Sequence, residues 1–323
     1  VPQFDFAQVK HLDAGQSGAF DAALLTAKSG EHFVVRMANS PTAGTELEAE
    51  IRALKCFSSL VRLNLPFQIG QLVGDTQDSD GQRALVFDFV YGNSIELSRV
   101  EPVSGLTASI AFAIAAIHNL PHELVQKSGF PELDPQQNLK YRIMELDRAA
   151  QTGKVPPILL QRWETALEDS SMFRYQPTVV HGAINGHSVL ELDGKVSGVL
   201  HWSGLRISDP AEDLAWVLGG ASTDLAKNLI ARYFEARPGA DVNLWSRALL
   251  YSELELARWL LHGYSQGSQE IIEDAVGMLL VLTEEVETGK AERIAAAPLA
   301  TEIAQQRRAE QAHSNPVKND ELF

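Results

Sequence analysis

Through the first ninety residues, apolar and polar positions alternate in short runs. Val9–Leu12, Ala19–Ala27 and His32–Met37 are each a few residues long and are separated by turns containing glycine, which predicts strands. Gln68–Val73 and Arg83–Val90 predict a further strand pair, with the polar, acidic stretch GDTQDSDG as the exposed hairpin tip. Between the two groups the period lengthens. Leu47, Ile51 and Leu54 recur at helical spacing within Thr45–Phe57. After Gly92 helical patterns dominate. Leu106, Ile110, Ala113, Ile114 and Ile117 form a wide apolar face with few charges, so that helix is expected to be buried. Asn138–Ala150 and Pro157–Glu168 predict two more helices, the second opened by proline. A short strand region, Thr178–Leu200, interrupts them. Helices follow over Asp224–Ala236, Leu244–Gly263 and Ser268–Val286. From about Gly289 the chain turns alanine-rich and charged, and its last residues have little to bury.

The expected architecture is therefore α+β in two lobes: a β-rich lobe over 1–92, a helical lobe over 93–288 carrying a hairpin at 178–204, and a flexible tail over 289–323. A cleft between lobes is a natural place for a ligand.

Composition narrows the picture. Hydrophobic residues make up 45% of 323, enough for a sizeable core. The formal net charge of −15 argues against nucleic acid or an anionic membrane as partner. It suits a cationic small molecule, and equally a protein that is acidic only to stay in solution. No apolar run reaches the roughly 18 residues of a membrane span. The opening VPQFDFAQVKHLD lacks the pattern of a secretory signal. Cys56 stands alone and cannot form an internal disulfide, which fits a reducing cytoplasm. Its place late in the first helix suggests core packing.

Candidate chemistry begins at LDAGQSGAFDAALL. Gly15 and Gly18 flank Gln16 and Ser17 between two strands, and glycines there let backbone approach a phosphate. A plain hairpin has the same look. Arg36, on the following strand, is the cation that would reach such a phosphate. At about 100° per residue, Glu50 falls on the border of the buried stripe of its helix and Glu48 does not. Glu46 lies only slightly further out. A carboxylate at that border wants a cation, and Arg36 would supply one.

The hairpin carries the most specific signal: HGAINGHSVLELDGKVSGVLHWSGLRISDPAEDLA. Together with the glycine turn, the strand cation, the helix glutamate, the lobe switch FDFVYGNS and the helix end AAIHNLP, this series resembles the aminoglycoside phosphotransferase family, with its protein-kinase-like fold. It is most similar to the macrolide phosphotransferase branch. The resemblance implies a nucleotide site at Gly15, Ser17, Gly18, Arg36, Glu50, Asp88 and Val90. It also implies a catalytic aspartate in a His-Gly-Asp triplet, an asparagine after four more residues, and an aspartate in a later Ile-Asp-Trp. The first orients the substrate hydroxyl and the other two hold magnesium. Here those positions read Ala183, Ser188 and His201. The structural acids of the family pattern remain as Asp209 and Asp213, and His181 is expected to brace the loop.

These substitutions suggest a pseudokinase that acts by binding a protein partner or a small ligand, with ATP held without magnesium as the cofactor reading. The alternative is a working phosphotransferase on a small hydroxyl compound, such as an antibiotic, through a rearranged site. Glu253 and Glu255, on a helix that borders the substrate cleft in the family, would then receive an amine. A third idea is that His181, His187 and His201, with Asn185 nearby, form a new metal site. His118, at a helix end, is expected to contact local carbonyls.

Overall fold

The computed structural model describes residues 5–12, 20–77 and 82–295. The chain divides into two compact units, each assembled from two stretches: Val1–Leu133 with Pro177–Arg237, and Asp134–Gln176 with Pro238–Phe323. The lobe boundary expected at Gly92 falls within the first unit.

In the first unit, strands β1 (Phe6–Leu12), β2 (Phe20–Ala27), β3 (His32–Ala38), β4 (Leu72–Gln77) and β5 (Arg83–Asp88) form an antiparallel sheet in the order β1-β2-β3-β5-β4. Side chains alternate across it. Leu25, Ala27, Phe33 and Val86 form one core cluster, joined by Phe6, Val35 and Val73. Ala22, Val34, Arg36 and Phe87 fall on the opposite face.

Helix α1 spans Pro41–Leu54. It starts four residues earlier than its apolar period predicts, because Ser40 accepts a hydrogen bond from the Ala43 amide and Pro41 occupies the first turn. Helix α2 (Ser59–Asn64) carries no buried residue, so its pattern gave no signal. The strand expected at Gln68–Val73 forms instead at β4. Gln68 makes only an isolated parallel bridge to Gly198, and Gly74–Gln77, expected in a turn, pair with β5. Pairing at a sheet edge here overrides weak local propensity. The rest of that expected tip, 78–81, lies outside the described residues.

Helix α3 (Gly105–His118) is apolar nearly all round and buries Ile110, Ile114 and Ile117 almost completely. Helix α4 (His122–Gln126) follows. This unit then takes up the chain again at α7 (Ala211–Gly220) and α8 (Thr223–Ala236), the latter packed on α3. Between them run β7 (Thr178–Val180) paired with β10 (Arg206–Ser208), and a sheet of β6 (Asn93–Ser94), β8 (Val189–Leu192) and β9 (Lys195–Val199).

The second unit holds α5 (Pro135–Gln151), α6 (Pro157–Glu168), α9 (Leu244–Gln266) and α10 (Gln269–Glu287). A capping box of Asp134 and Gln137 starts α5. Gly267, in the left-handed conformation, ends α9. The tail expected from Gly289 begins docked. Trp245 Nε1 donates to Glu292, Ser246 Oγ to the Ala295 carbonyl, and Arg162 to the Glu292 carbonyl. The remainder, 296–323, lies outside the described residues. No described helix is long and apolar enough to cross a membrane.

Candidate functional site

Alternation along β3 puts Arg36 beside Val34 on the face that α1 covers, and the helical period of α1 turns Glu50 toward it. Arg36 Nη1 and Glu50 Oε2 meet at 2.6 Å, both side chains being buried. The guanidinium also lies 4.5 Å over the Phe20 ring. The pair borders a cavity of about 270 Å³ within the first unit. Ala22, Val34, Phe89, Val90, Leu190 and Leu200 give it apolar walls; Asp88, His187 and His201 add polar edges. Asp88 accepts from the Gln71 amide; burial pushes its carboxyl above the ordinary value, and that hydrogen bond partly opposes the shift. Val90 is packed so close to Gly198 that a Cβ at 198 would run into it. Gly15, Ser17 and Gly18 lie outside the described residues.

Beneath the cavity is a closed hydrogen-bond network. Asp213, on α7, accepts from the amides of His181 (2.7 Å) and Gly182 (2.8 Å) and from His118 Nε2 (3.1 Å). His118 Nδ1 accepts from the Tyr233 hydroxyl at 2.7 Å, and that oxygen accepts from Arg237 at 2.8 Å. His118 is thus a buried bridge between α7 and α8, not the contact to local carbonyls expected of it, since the apolar face of α3 carries its ring inward. Burial holds its imidazole below the ordinary value against the opposing pull of Asp213. Burial also works to raise the Asp213 carboxyl, but the bond from His118 and the neighbouring groups bring it below the usual range. A neutral imidazole therefore donates to a carboxylate.

His181 is fully buried. Its Nε2 donates to the Leu200 carbonyl at 2.8 Å, its Nδ1 accepts from the Ala183 amide at 3.3 Å, and Trp202 packs on it with ring centroids 4.6 Å apart. Gly182 has φ +75°, and a Cβ there would strike Arg206 and the Gly204 carbonyl. The brace expected of His181 is what these bonds describe.

The three positions expected to correspond to catalytic groups look different. Ala183 is an exposed methyl. Ser188 is buried, and its hydroxyl closes a turn: it accepts from the Asn185 amide (2.8 Å) and donates to the Asn185 carbonyl (2.9 Å). Asn185 Oδ1 in turn accepts from the amides of His187 and Ser188. His201 is in the left-handed region at φ 63°, ψ 53°. Its Nδ1 is buried and has no hydrogen-bond partner. Burial pushes the imidazole down to about 4, so it is neutral.

This donor set does not fit magnesium, a hard ion that takes oxygen ligands in octahedral array. Ala183 has no donor, Ser188 has turned its hydroxyl into its own loop, and His201 offers a nitrogen. The three imidazoles do not form a metal centre either. His181 has both nitrogens engaged, His187 is exposed, and no group of three ligating residues is placed to hold a metal among the described residues.

The two glutamates expected to receive an amine are otherwise occupied. Glu253 is buried in α9; both its oxygens take the Arg162 guanidinium (2.7 and 2.9 Å), and one takes Trp163 Nε1 (2.7 Å). Glu255 is exposed and paired with Arg258 at 2.5 Å. Cys56 is half-buried and its thiol donates to Ser128 Oγ at 3.0 Å; burial pushes its pKa up. The roles of Tyr233 and Arg237 were not read from sequence, and Asn185, expected beside a metal, closes a turn instead. The Leu225, Leu229, Tyr233 stripe marked Tyr233 as buried but named no partner.

Comparison with known proteins decides the family. The phosphotransferase enzyme family, abbreviated APH, matches residues 11–251, most of the chain. The chain belongs to this family. Among solved phosphotransferases it is similar to macrolide 2'-phosphotransferase MphH of Brachybacterium faecium, in the apoenzyme form, with TM-score 0.72 and 19% identity, covering 86% of this chain and 93% of that one. It is similar to the GDP complex of wild-type aminoglycoside 2'-phosphotransferase-IIIa, with TM-score 0.70 and 21% identity, covering 90% and 95%. These likenesses establish the kinase-like α+β fold, with a β-sheet N-terminal region and a helical C-terminal region. A curated relative is the uncharacterized protein YcbJ of Bacillus subtilis (strain 168), 22% identical over 150 residues. Those residues are 45% of this chain and 47% of YcbJ, so the chain spans about half the length of the curated relative it matches.

Proposed function

We propose that this phosphotransferase-family protein is a pseudokinase: it binds a small ligand or a protein partner and transfers no phosphoryl group. The observation that supports this most is Ser188, buried at the position where a magnesium ligand belongs, with its hydroxyl both accepting from and donating to Asn185 in its own loop. Ala183 and His201 remove the base and the second ligand. Loss of a general base typically costs 10²–10⁴ in rate, and loss of metal-borne charge stabilisation costs several kcal/mol more. Phosphoryl transfer relies on positioning and electrostatics, so no covalent route substitutes. The cavity bordered by Arg36, Glu50 and Val90 is the place for a ligand. The lone cysteine supports a reducing compartment, the cytoplasm.

The test is incubation of the full chain with γ-labelled ATP, magnesium or manganese, and a panel of macrolides and aminoglycosides, the substrate classes named for its structural relatives. No labelled product above the enzyme-free control is expected. Transfer to any acceptor overturns the reading in favour of an active enzyme with a rearranged site. The combined variant Ala183→Asp, Ser188→Asn, His201→Asp is expected to gain magnesium-dependent nucleotide binding that the natural chain lacks.

A further inference from the structure

In the second unit, α6 and α9 together present a set of fixed hydrogen-bond donors. Both oxygens of the buried Glu253 take the Arg162 guanidinium, and the fully buried Trp163 donates to the same carboxylate. Arg162 is thereby held as a rigid fork. Its Nη2 also donates to the Glu292 carbonyl. Two further donors stand on buried residues in the first turn of α9. Trp245 Nε1 donates to the Glu292 carboxylate at 2.9 Å, and the Ser246 hydroxyl donates to the Ala295 carbonyl.

The segment that occupies this seat is built the other way. Gly289, at φ +71°, turns the chain out of α10, and residues 290–295 follow as a non-helical strap. None of them is buried. Lys290, Glu292 and Arg293 are exposed, and Ala291, Ile294 and Ala295 are partly so. Burying apolar side chains is the usual way to fix a segment permanently. This strap is held by hydrogen bonds from a framework that stands without it, so it can open without unfolding the helices beneath. Two of the acceptors are main-chain carbonyls, which every peptide carries. The third is a carboxylate. The seat therefore asks only for an acidic residue and a carbonyl three positions further on.

We infer that this seat is a docking site for an acidic, non-helical segment of a partner protein, and that residues 290–295 are its occupant in cis, which the partner displaces. The inference goes beyond the pseudokinase reading and holds whether or not the chain transfers phosphate, which the labelled-ATP assay decides separately.

Fluorescence anisotropy of labelled peptides with the full chain tests this. Glu292→Arg removes the carboxylate and sets a donor against the Trp245 N–H. It should release the strap, read as hydrogen exchange at 291–295 at least about tenfold faster with an unchanged circular dichroism spectrum. The released chain should bind the peptide KAERIAAA, the sequence of 290–297, at least about tenfold more tightly than the natural chain does, because the strap no longer competes. KAQRIAAA should bind about tenfold more weakly than KAERIAAA, and Trp245→Phe added to Glu292→Arg should erase that difference. TSESTATS, which shares only the acid and a small residue three places on, should bind within about tenfold of KAERIAAA. The inference is overturned if the strap stays protected in Glu292→Arg or if KAERIAAA does not bind the released chain. Failure of TSESTATS to bind also overturns it, since the seat would then fit the chain's own segment alone. A dimer of the natural chain that Glu292→Arg dissolves overturns it too, by giving the seat to the strap of a second copy.

Discussion

Two sets of positions lie in the first unit, and they differ in what they bond. Asp213, His181, His118, Tyr233 and Arg237 bond one another, and each link in that chain of donors and acceptors is a protein group. Ala183, Ser188 and His201 stand where the family resemblance leads one to expect groups that bond substrate and metal. The comparison teaches where substitution is tolerated. A change in the first set leaves a buried partner unsatisfied, which costs stability at once. The second set is tied in less: Ala183 carries no polar side-chain group to strand, and Ser188 bonds only within its own loop, to Asn185. On the proposed reading, the chain keeps the framework of a phosphotransferase and loses its chemistry.

The strongest way to break this contrast is Asp213→Ala. It leaves three buried donors, the amides of His181 and Gly182 and His118 Nε2, without an acceptor. A loss on the order of 4 kcal/mol is expected in urea unfolding. A loss under about 1 kcal/mol would mean that the network contributes little.

Acidification probes the same region with a smaller effect. Burial holds His118, His181 and His201 below their ordinary value of 6.5. As pH falls through 6.5 the unfolded chain takes up protons that the folded chain refuses. The stability from these groups is thus complete above 6.5 and is lost toward acid. For His201, at about 4 in the folded protein, the loss between about pH 7.5 and about pH 5.5 is about 1 kcal/mol, and the other two act in the same direction. A flat unfolding midpoint across that window would count against neutral, buried imidazoles.

The smallest effect sharpens the other side. Ala183→Asp alters an exposed position and should change stability by less than about 0.5 kcal/mol. Alone it should give no transfer, since the Ser188 hydroxyl stays bonded within its own loop and His201 offers a nitrogen. Destabilisation above about 2 kcal/mol would show that position 183 belongs to the framework after all.

What could be read from sequence follows the range of the interactions. The pairing of Arg36 with Glu50 was legible because two short periods, one of a strand and one of a helix, each turned a charge toward the same covered face. The spacing from His181 to Asp213 was legible because a hairpin fixes its offsets. The role of His118 was not, since its partners, Asp213 and Tyr233, are 95 and 115 positions away. Glu253 misled for a similar reason: only packing of α6 on α9 shows that Arg162 and Trp163 claim it. Ser188 could be seen as a weak metal ligand, but that its hydroxyl is tied to Asn185 needed coordinates.

That small turn also constrains anyone who tries to engineer activity back. Replacing Ser188 with asparagine first removes two clasps that hold the loop, and gains a useful oxygen only if positions 183 and 201 have changed as well. On the pseudokinase reading, activity would return only when all three positions change together, a route that stepwise improvement would not follow.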